Sequence, residues 1–427
     1  MMSVLSVIVF VLLLLISVAW HELGHMIPAK LFGVRVNSYF IGVGPTVWSR
    51  RRGETEYGIK ALPFGGFVRM AGMYPPERTG EPPRSQWRAN LEDEVRAFSR
   101  QEVDEAGEKR SFFRQSAPRK AIIMLGGPTA NLLLAVILAG VVMCGIGTHV
   151  ATTTLSGVSD CLAWDGTSVE CSDPRSEPGP AASAGLRAGD TVTVWDGVEV
   201  ATWKDLTDAI QGARSGEVSV EFERDGVVMT ASVTPYETYL DDIGEQVRKV
   251  GIVAGDSRER QPMGSVPGVV WDQIASSSSV YARLPVLVWR TGVDMLVGHD
   301  RRIDSPISPV GIVRFTAEVT SEMDASGISA GDIWAERWSL WLWIAVSLNL
   351  ALWMFNLLPL LPLDGGHIAG AVVEGVRRSW ARLRRRSPLP GPLDLARVVP
   401  LTYGVFALII LMTLVLVTAD IVNPVGH

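Results

Sequence analysis

The residues best suited to chemistry are His21-Glu22-Leu23-Gly24-His25, which read H-E-x-x-H. On a helix, side chains four apart share a face, so both imidazoles reach one zinc ion. Glu22, beside the first ligand, is set to act as a general base toward water at the metal. Two histidines leave a catalytic zinc one protein ligand short, so the pattern calls for a third donor elsewhere. The stretch Asn356-Leu357-Leu358-Pro359-Leu360-Leu361-Pro362-Leu363-Asp364-Gly365-Gly366-His367 ends an apolar run with two helix-breaking prolines and then supplies a carboxylate. Asp364 completes a His-His-Asp set and leaves a fourth position for water. The competing readings are a helix-capping role for Asp364 and ligation by His367, which lies beyond the glycine turn. His149, His299 and His427 are scattered and are expected to take no part. Asn349 and Asn356, seven apart, share a helical face, and Asn356 is set to hydrogen-bond substrate backbone or a developing oxyanion.

The elements that must position these residues are apolar. The run Val4–Ala19 leads directly into His21, so the candidate metal site falls within or at the edge of a bilayer, where ionisable groups signal function. The chain has 427 residues, 47% of them apolar. The apolar excess is concentrated in four blocks long enough to span a membrane, at about 3–20, 120–146, 338–361 and 398–419. No Lys or Arg precedes the first block and no small-residue cleavage site precedes His21, so an uncleaved helix is expected there. Lys30, Arg35, Arg50, Arg51, Arg52, Lys60, Arg69, Arg114, Arg119 and Lys120 lie between the first two blocks. Arg377, Arg378, Arg382, Arg384, Arg385 and Arg386 lie between the last two. Basic residues stay on the cytoplasmic side. Both loops are therefore expected in the cytoplasm, with both termini and the segment from about 147 to 337 outside. His21, His25 and Asp364 then reach the same side. Topology accounts for the basic runs, and no nucleic-acid partner is implied.

Between these blocks the chain divides into expected regions. Residues 1–146 hold the first two spans and a β region, in which 44–48 and 56–62 read as strands about an Arg52-Gly53 turn. The glycine- and aromatic-rich run after Pro63, including Gly65 and Gly66, reads either as an ordinary cytoplasmic hairpin or as a sheet edge dipping beside the site. Such an edge would bind an unwound substrate by strand addition. Residues 74–110, charged and proline-rich, read as a loop. Gly126-Gly127-Pro128-Thr129-Ala130-Asn131 opens the second span with small residues that permit close helix packing, and with an amide that needs a partner. Residues 147–255 carry a strand, turn and helix pattern with helix-like Trp203–Gln211 and strands 218–224 and 227–233 about Asp225-Gly226. With its A-G-L-x-x-G-D phrase, this region resembles a PDZ domain over about 175–238. Cys161 and Cys171 lie where oxidation is permitted, and a disulfide between them is an open possibility. Residues 256–337 read as helices on the outer membrane face, and 338–427 hold the last two spans.

Taken together, H-E-x-x-H, the PDZ-like insert and N-x-x-P-x-x-P-x-D-G-G resemble the bacterial site-2 proteases, most nearly their actinobacterial members. The resemblance implies a polytopic α-helical membrane protein with four transmembrane helices, a membrane-reentrant β-loop and an inserted extracytoplasmic PDZ-like α/β domain. It implies zinc held by His21, His25 and Asp364, with Glu22 as general base; Asn356, read from its place on the helix, is expected as a second catalytic group. Gly65, Gly66, Asn131 and Asn349 are expected on the substrate side. It also implies residence in the bacterial inner membrane. The expected substrates are single-pass membrane proteins such as anti-sigma factors, already trimmed outside by a first protease, and remnant signal peptides. Two readings of another class compete: a catalytically idle scaffold presenting the PDZ-like module, and a metal or ion transporter. The transporter predicts further charges along the second and fourth spans, and the sequence has none there.

Overall fold

The apolar run that ends in H-E-x-x-H forms helix α1 (Met2–Leu31) in the computed structural model. The structure describes residues 2–76, 86–163, 171, 176–213, 215–240, 245–299, 301, 305–325 and 330–423. It divides into two units, one of Met1–Ile146 with Pro262–His427 and one of Gly147–Gln261. In the first unit, Gly33 at φ +77° lets the chain leave α1 in the left-handed conformation common at helix ends.

Two long strands follow, β1 (Val36–Arg52) and β2 (Thr55–Met70), extending well past the short strands read at 44–48 and 56–62. Both bend, so Tyr39 pairs with Tyr57 on one side and with Val68 on the other, while Arg50 pairs with Tyr57 farther out. Gly42 permits the bend: it sits at φ +87°, and a Cβ there would stand 2.6 Å from the Leu62 carbonyl oxygen. The segment 74–110 is not simply a loop. Part of it lies outside the described residues, but Gln86–Ala106 forms helix α2. Trp87, Leu91 and Val95 recur at helical spacing, and an i,i+4 pair joins Glu92 to Arg96, a pattern hidden by the surrounding charge. Helix α3 (Ala117–Gly140) then runs into a π-helical turn, Val141–Ile146.

The second unit is the insert. In chain order it comprises β3 (Thr148–Val158), β4 (Cys161–Ala163), β5 (Ser176–Pro178), α4 (Pro180–Ser183), β6 (Thr191–Trp195), β7 (Val198–Glu199), α5 (Trp203–Gly212), β8 (Val218–Arg224), β9 (Val227–Val233), β10 (Tyr236–Leu240), β11 (Glu245–Lys249) and β12 (Ile252–Glu259). Its main sheet has the order β12-β3-β6-β8-β9, with β7 on β6. Period-2 alternation in β8 turns Val218, Val220 and Phe222 onto a core with Leu155, Val192, Trp195 and Leu206. Thr202 and Asp205 form a reciprocal capping box that starts α5. Asp190 is buried and accepts from Arg224 Nε and Nη2 at 2.7 and 2.8 Å. Cys161 and Cys171 are disulfide-bonded.

The first unit resumes with α6 (Val266–Val297), α7 (Pro309–Ala325), α8 (Ala330–Asn356), α9 (Asp364–Leu383) and α10 (Val399–Val422). The helices expected on an outer face exist, but they pack along the flanks of the long apolar helices. Val266 and Val270 of α6 share a core with Ala135, Ala139, Val346 and Leu350, and the Tyr281 ring lies 4.8 Å from that of Phe355. Ser6 of α1 and Thr320 of α7 are hydrogen-bonded at 3.3 Å. Among the described residues, four stretches are long and apolar enough to cross a membrane: Leu5–Leu31, Ala117–Ile146, Asp332–Asn356 and Leu395–Val422. The third ends at Asn356 rather than near 361, because Pro359 and Pro362 lack the N–H that would continue the helix.

Candidate metal centre

Glycine brings α1 and α3 together. A Cβ on Gly24 would stand 2.3 Å from the Gly126 oxygen, and one on Gly126 would stand 2.0 Å from the Gly24 oxygen. Only backbone fits at this crossing. Gly127 faces the histidine rings, and a Cβ there would meet His25 Nε2 at 2.2 Å and His21 Cε1 at 2.8 Å. The crossing is tied further by Trp20 Nε1, which donates to the Ala130 carbonyl at 2.8 Å.

His25 is buried, and its Nδ1 lies 2.9 Å from the Ile123 carbonyl. A carbonyl only accepts, so Nδ1 carries the proton and the Nε2 lone pair is free. Asp364 opens α9, where the preceding Leu357–Leu363 segment folds back over it. A Cβ on Gly365 would stand 2.0 Å from the Leu358 oxygen, and one on Gly366 would stand 2.7 Å from Leu361 N. Farther along α9, Glu374 accepts from Lys120 of α3 at 2.8 Å, with both side chains buried. These contacts fasten the helix that carries Asp364 to the helix that carries Gly127.

Three atoms converge: His21 Nε2, His25 Nε2 and Asp364 Oδ2 lie 3.2 Å from one another in each pairing. Each atom is an electron-pair donor when the imidazoles are neutral, and such atoms repel unless a cation sits among them. A tetrahedral zinc ion with bonds of about 2.0–2.1 Å holds its ligand atoms about 3.3 Å apart. The triangle matches that requirement, and these three residues form the one His/Cys/Asp/Glu group with metal-binding spacing among the described residues.

The other candidate residues fall at graded distances from this triangle. Glu22 lies within electrostatic reach of His21, His25 and Asp364, with the Val68 backbone beside its carboxylate. Gly66 packs on its stem: an added Cβ would stand 3.2 Å from Glu22 Cγ. Gly65, at φ +75°, turns the strand there and faces open space. Asn131 is buried with its amide 3.2 Å from His21 Nδ1. Asn356 closes α8 and is half-buried. Asn349 departs from the expected substrate-side position. It is fully buried, and its Nδ2 donates to Ser17 Oγ and the Ala345 carbonyl, both at 2.8 Å, inside the helix packing. His367 lies one turn past Asp364 with its ring 6.4 Å from that of Tyr74, outside the triangle.

Several supports had no sequence signal of their own. Tyr39 donates to the Ala19 carbonyl at 2.7 Å and holds β1 against the turn before His21. The Ile123 carbonyl and the Gly24–Gly126 contact depend on which helices touch. Only the run of small residues at 126–130 hinted at the crossing.

The profile of peptidase family M50 matches residues 9–387. The chain belongs to peptidase family M50. Zinc metalloprotease Rip1 of Mycobacterium tuberculosis is 33% identical over 453 residues, covering 100% of this chain and 99% of the relative. Zinc metalloprotease RasP of Geobacillus kaustophilus is 26% identical, covering 97% of each chain. Metalloprotease MmpA of Caulobacter vibrioides is 27% identical, covering 87% of this chain and 86% of its own. Among solved structures, a PDZ domain of an SdrC-like protein from Listeria monocytogenes aligns with 22% of this chain and 87% of its own, at 22% identity and a TM-score of 0.16. This M50 peptidase is thus a multi-pass membrane zinc metalloprotease of the site-2 type.

Proposed function

We propose that His21, His25 and Asp364 hold the catalytic zinc of an endopeptidase that cuts within the membrane-spanning segments of single-pass proteins. The observation that carries this reading is the 3.2 Å triangle of donor atoms with Glu22 beside it. A zinc ion there supplies Lewis-acid chemistry and a water of lowered pKa. Glu22 accepts the proton of the attacking water and returns it to the leaving amine. Asn356 donates to the oxyanion that develops on the cleaved carbonyl.

Asn131 holds His21 in its ligating tautomer. With Nδ2 toward His21 Nδ1, the Asn131 oxygen is left buried without a partner. Turning the amide by half a rotation lets that oxygen accept from Nδ1–H, which frees Nε2 for the metal. A substrate helix must unwind before its peptide groups are accessible, and pairing with the Gly65–Arg69 edge stabilises the unwound form.

The basic loops support a cytoplasmic metal end, with both termini and the PDZ-like insert outside the bacterial inner membrane. The substrates in this reading are anti-sigma factors and remnant signal peptides, cut after a first protease has shortened them. The insert acts as a size filter, because irreversible cutting needs a gate more than it needs affinity. The test compares membrane proteomes of cells carrying the active and Glu22→Gln forms. Single-pass proteins shortened outside should accumulate with Glu22→Gln, and identical proteomes would contradict the reading.

A further inference from the structure

The strand segment beside Glu22 has one unpaired edge and a cavity along it. Residues 38–41 of β1 pair with 66–69 on one side and with 56–59 on the other, so 66–69 lies at the rim of the sheet. Among the described residues no strand pairs with its outer edge. A cavity of about 220 Å³ follows this edge. It is lined by Phe67–Met70, by Met73 and Tyr74 just beyond, and by Val95 and Ser99 of α2. Small-molecule sites run to about 300–1,000 Å³. This cavity is smaller, so it has room for a side chain rather than a whole ligand.

The far wall is fixed in position. Ser99 Oγ accepts from the Tyr74 N–H at 3.1 Å and donates to the Tyr74 carbonyl at 3.0 Å. Arg96, buried, reaches Asp394 Oδ2 at 2.6 Å and anchors α2 to the segment before α10. Gly72 lets Val103 of α2 come close, since a Cβ there would stand 2.9 Å from Val103 Cγ2. The near end of the strand is at the chemistry, because Gly66 packs on Glu22, an added Cβ there standing 3.2 Å from Glu22 Cγ.

We propose that this cavity is a specificity pocket for one residue of the unwound substrate, close to the cut peptide, and that it selects a large apolar side chain. The proposal rests on the reading of the centre given above. A strand added to the rim lies within reach of Glu22, and its side chains alternate, so one of them turns into the space between Phe67–Met70 and Val95. The lining is mainly apolar, and burying a methylene or more there separates substrates by about tenfold or more. Val95 lines the cavity from α2, so it acts as a wall and not as a catalytic residue.

The test uses the full chain in liposomes with a transmembrane peptide series carrying Ala, Leu, Phe or Trp at each position flanking the cut. Wild type should prefer Leu or Phe over Ala at one position by about tenfold or more in kcat/KM. Val95→Trp fills the pocket and should reverse that preference, with kcat/KM falling most for the Leu and Phe peptides. Val95→Ala enlarges it and should extend acceptance to Trp. Zinc content is measured in each variant to confirm an intact centre. Equal loss for all peptides with the preference intact, or Glu22-dependent cutting with no preference at any position, overturns the pocket alone. Absence of Glu22-dependent cutting of any peptide overturns the reading of the centre and the pocket with it.

Discussion

Gly127 and His25 meet so closely that a single added carbon on the glycine would stand 2.2 Å from the imidazole Nε2. The metal centre therefore depends on an absent side chain as much as on its ligands. Gly127→Ala should displace the His25 ring and weaken zinc binding by at least about tenfold, the scale seen when ligand orientation is lost. Competition with a chelator on the purified protein measures this. Retained affinity would mean the helices part without cost.

Asn131→Ala should lower zinc affinity by about 10–100-fold, because His21 loses the group that fixes its tautomer. Asn131→Asp keeps an acceptor and should restore most of that affinity. If zinc affinity is unchanged in both while kcat falls, Asn131 serves the substrate and not His21.

Asn356→Ala should slow turnover by about a hundredfold to a thousandfold with zinc retained, the loss expected for one oxyanion donor. A change under about threefold would leave it a packing residue at the end of α8.

The insert carries a pH-dependent element. Burial pushes the Asp190 carboxyl up, but hydrogen bonds from Arg224 and the Arg187 N–H outweigh it and hold the group below the ordinary carboxylate range. A depressed carboxylate contributes stability above its unfolded pKa of about 3.9, and that stability is lost as pH falls through the lower folded value. Hydrogen exchange in peptides covering 185–224 of the full chain should therefore accelerate as pH drops below about 4, after correction for intrinsic rates. Asp190→Asn should be less protected at neutral pH and should lose this dependence. A wild-type profile that is flat across the range would contradict the assignment.

Much of this was legible in local pattern. The spacing of His21 and His25, the prolines before Asp364, the four apolar blocks and the strands about Asp225-Gly226 each follow from short-range rules. Helix α2 was obscured because its apolar stripe of Trp87, Leu91 and Val95 is thin among charges. Asn349 was misplaced because helical periodicity gives a shared face but not which neighbour that face meets. Here it meets Ser17 of α1. The Gly24–Gly126 crossing and the Ile123 carbonyl partner of His25 are tertiary relations, and no spacing rule contains them.

The most direct measurement is zinc stoichiometry in the purified full chain and in His21→Ala, His25→Ala, Asp364→Ala and His367→Ala. One zinc per chain is expected in wild type and His367→Ala, and sharply reduced zinc in the other three. Full occupancy in Asp364→Ala together with loss in His367→Ala would contradict it.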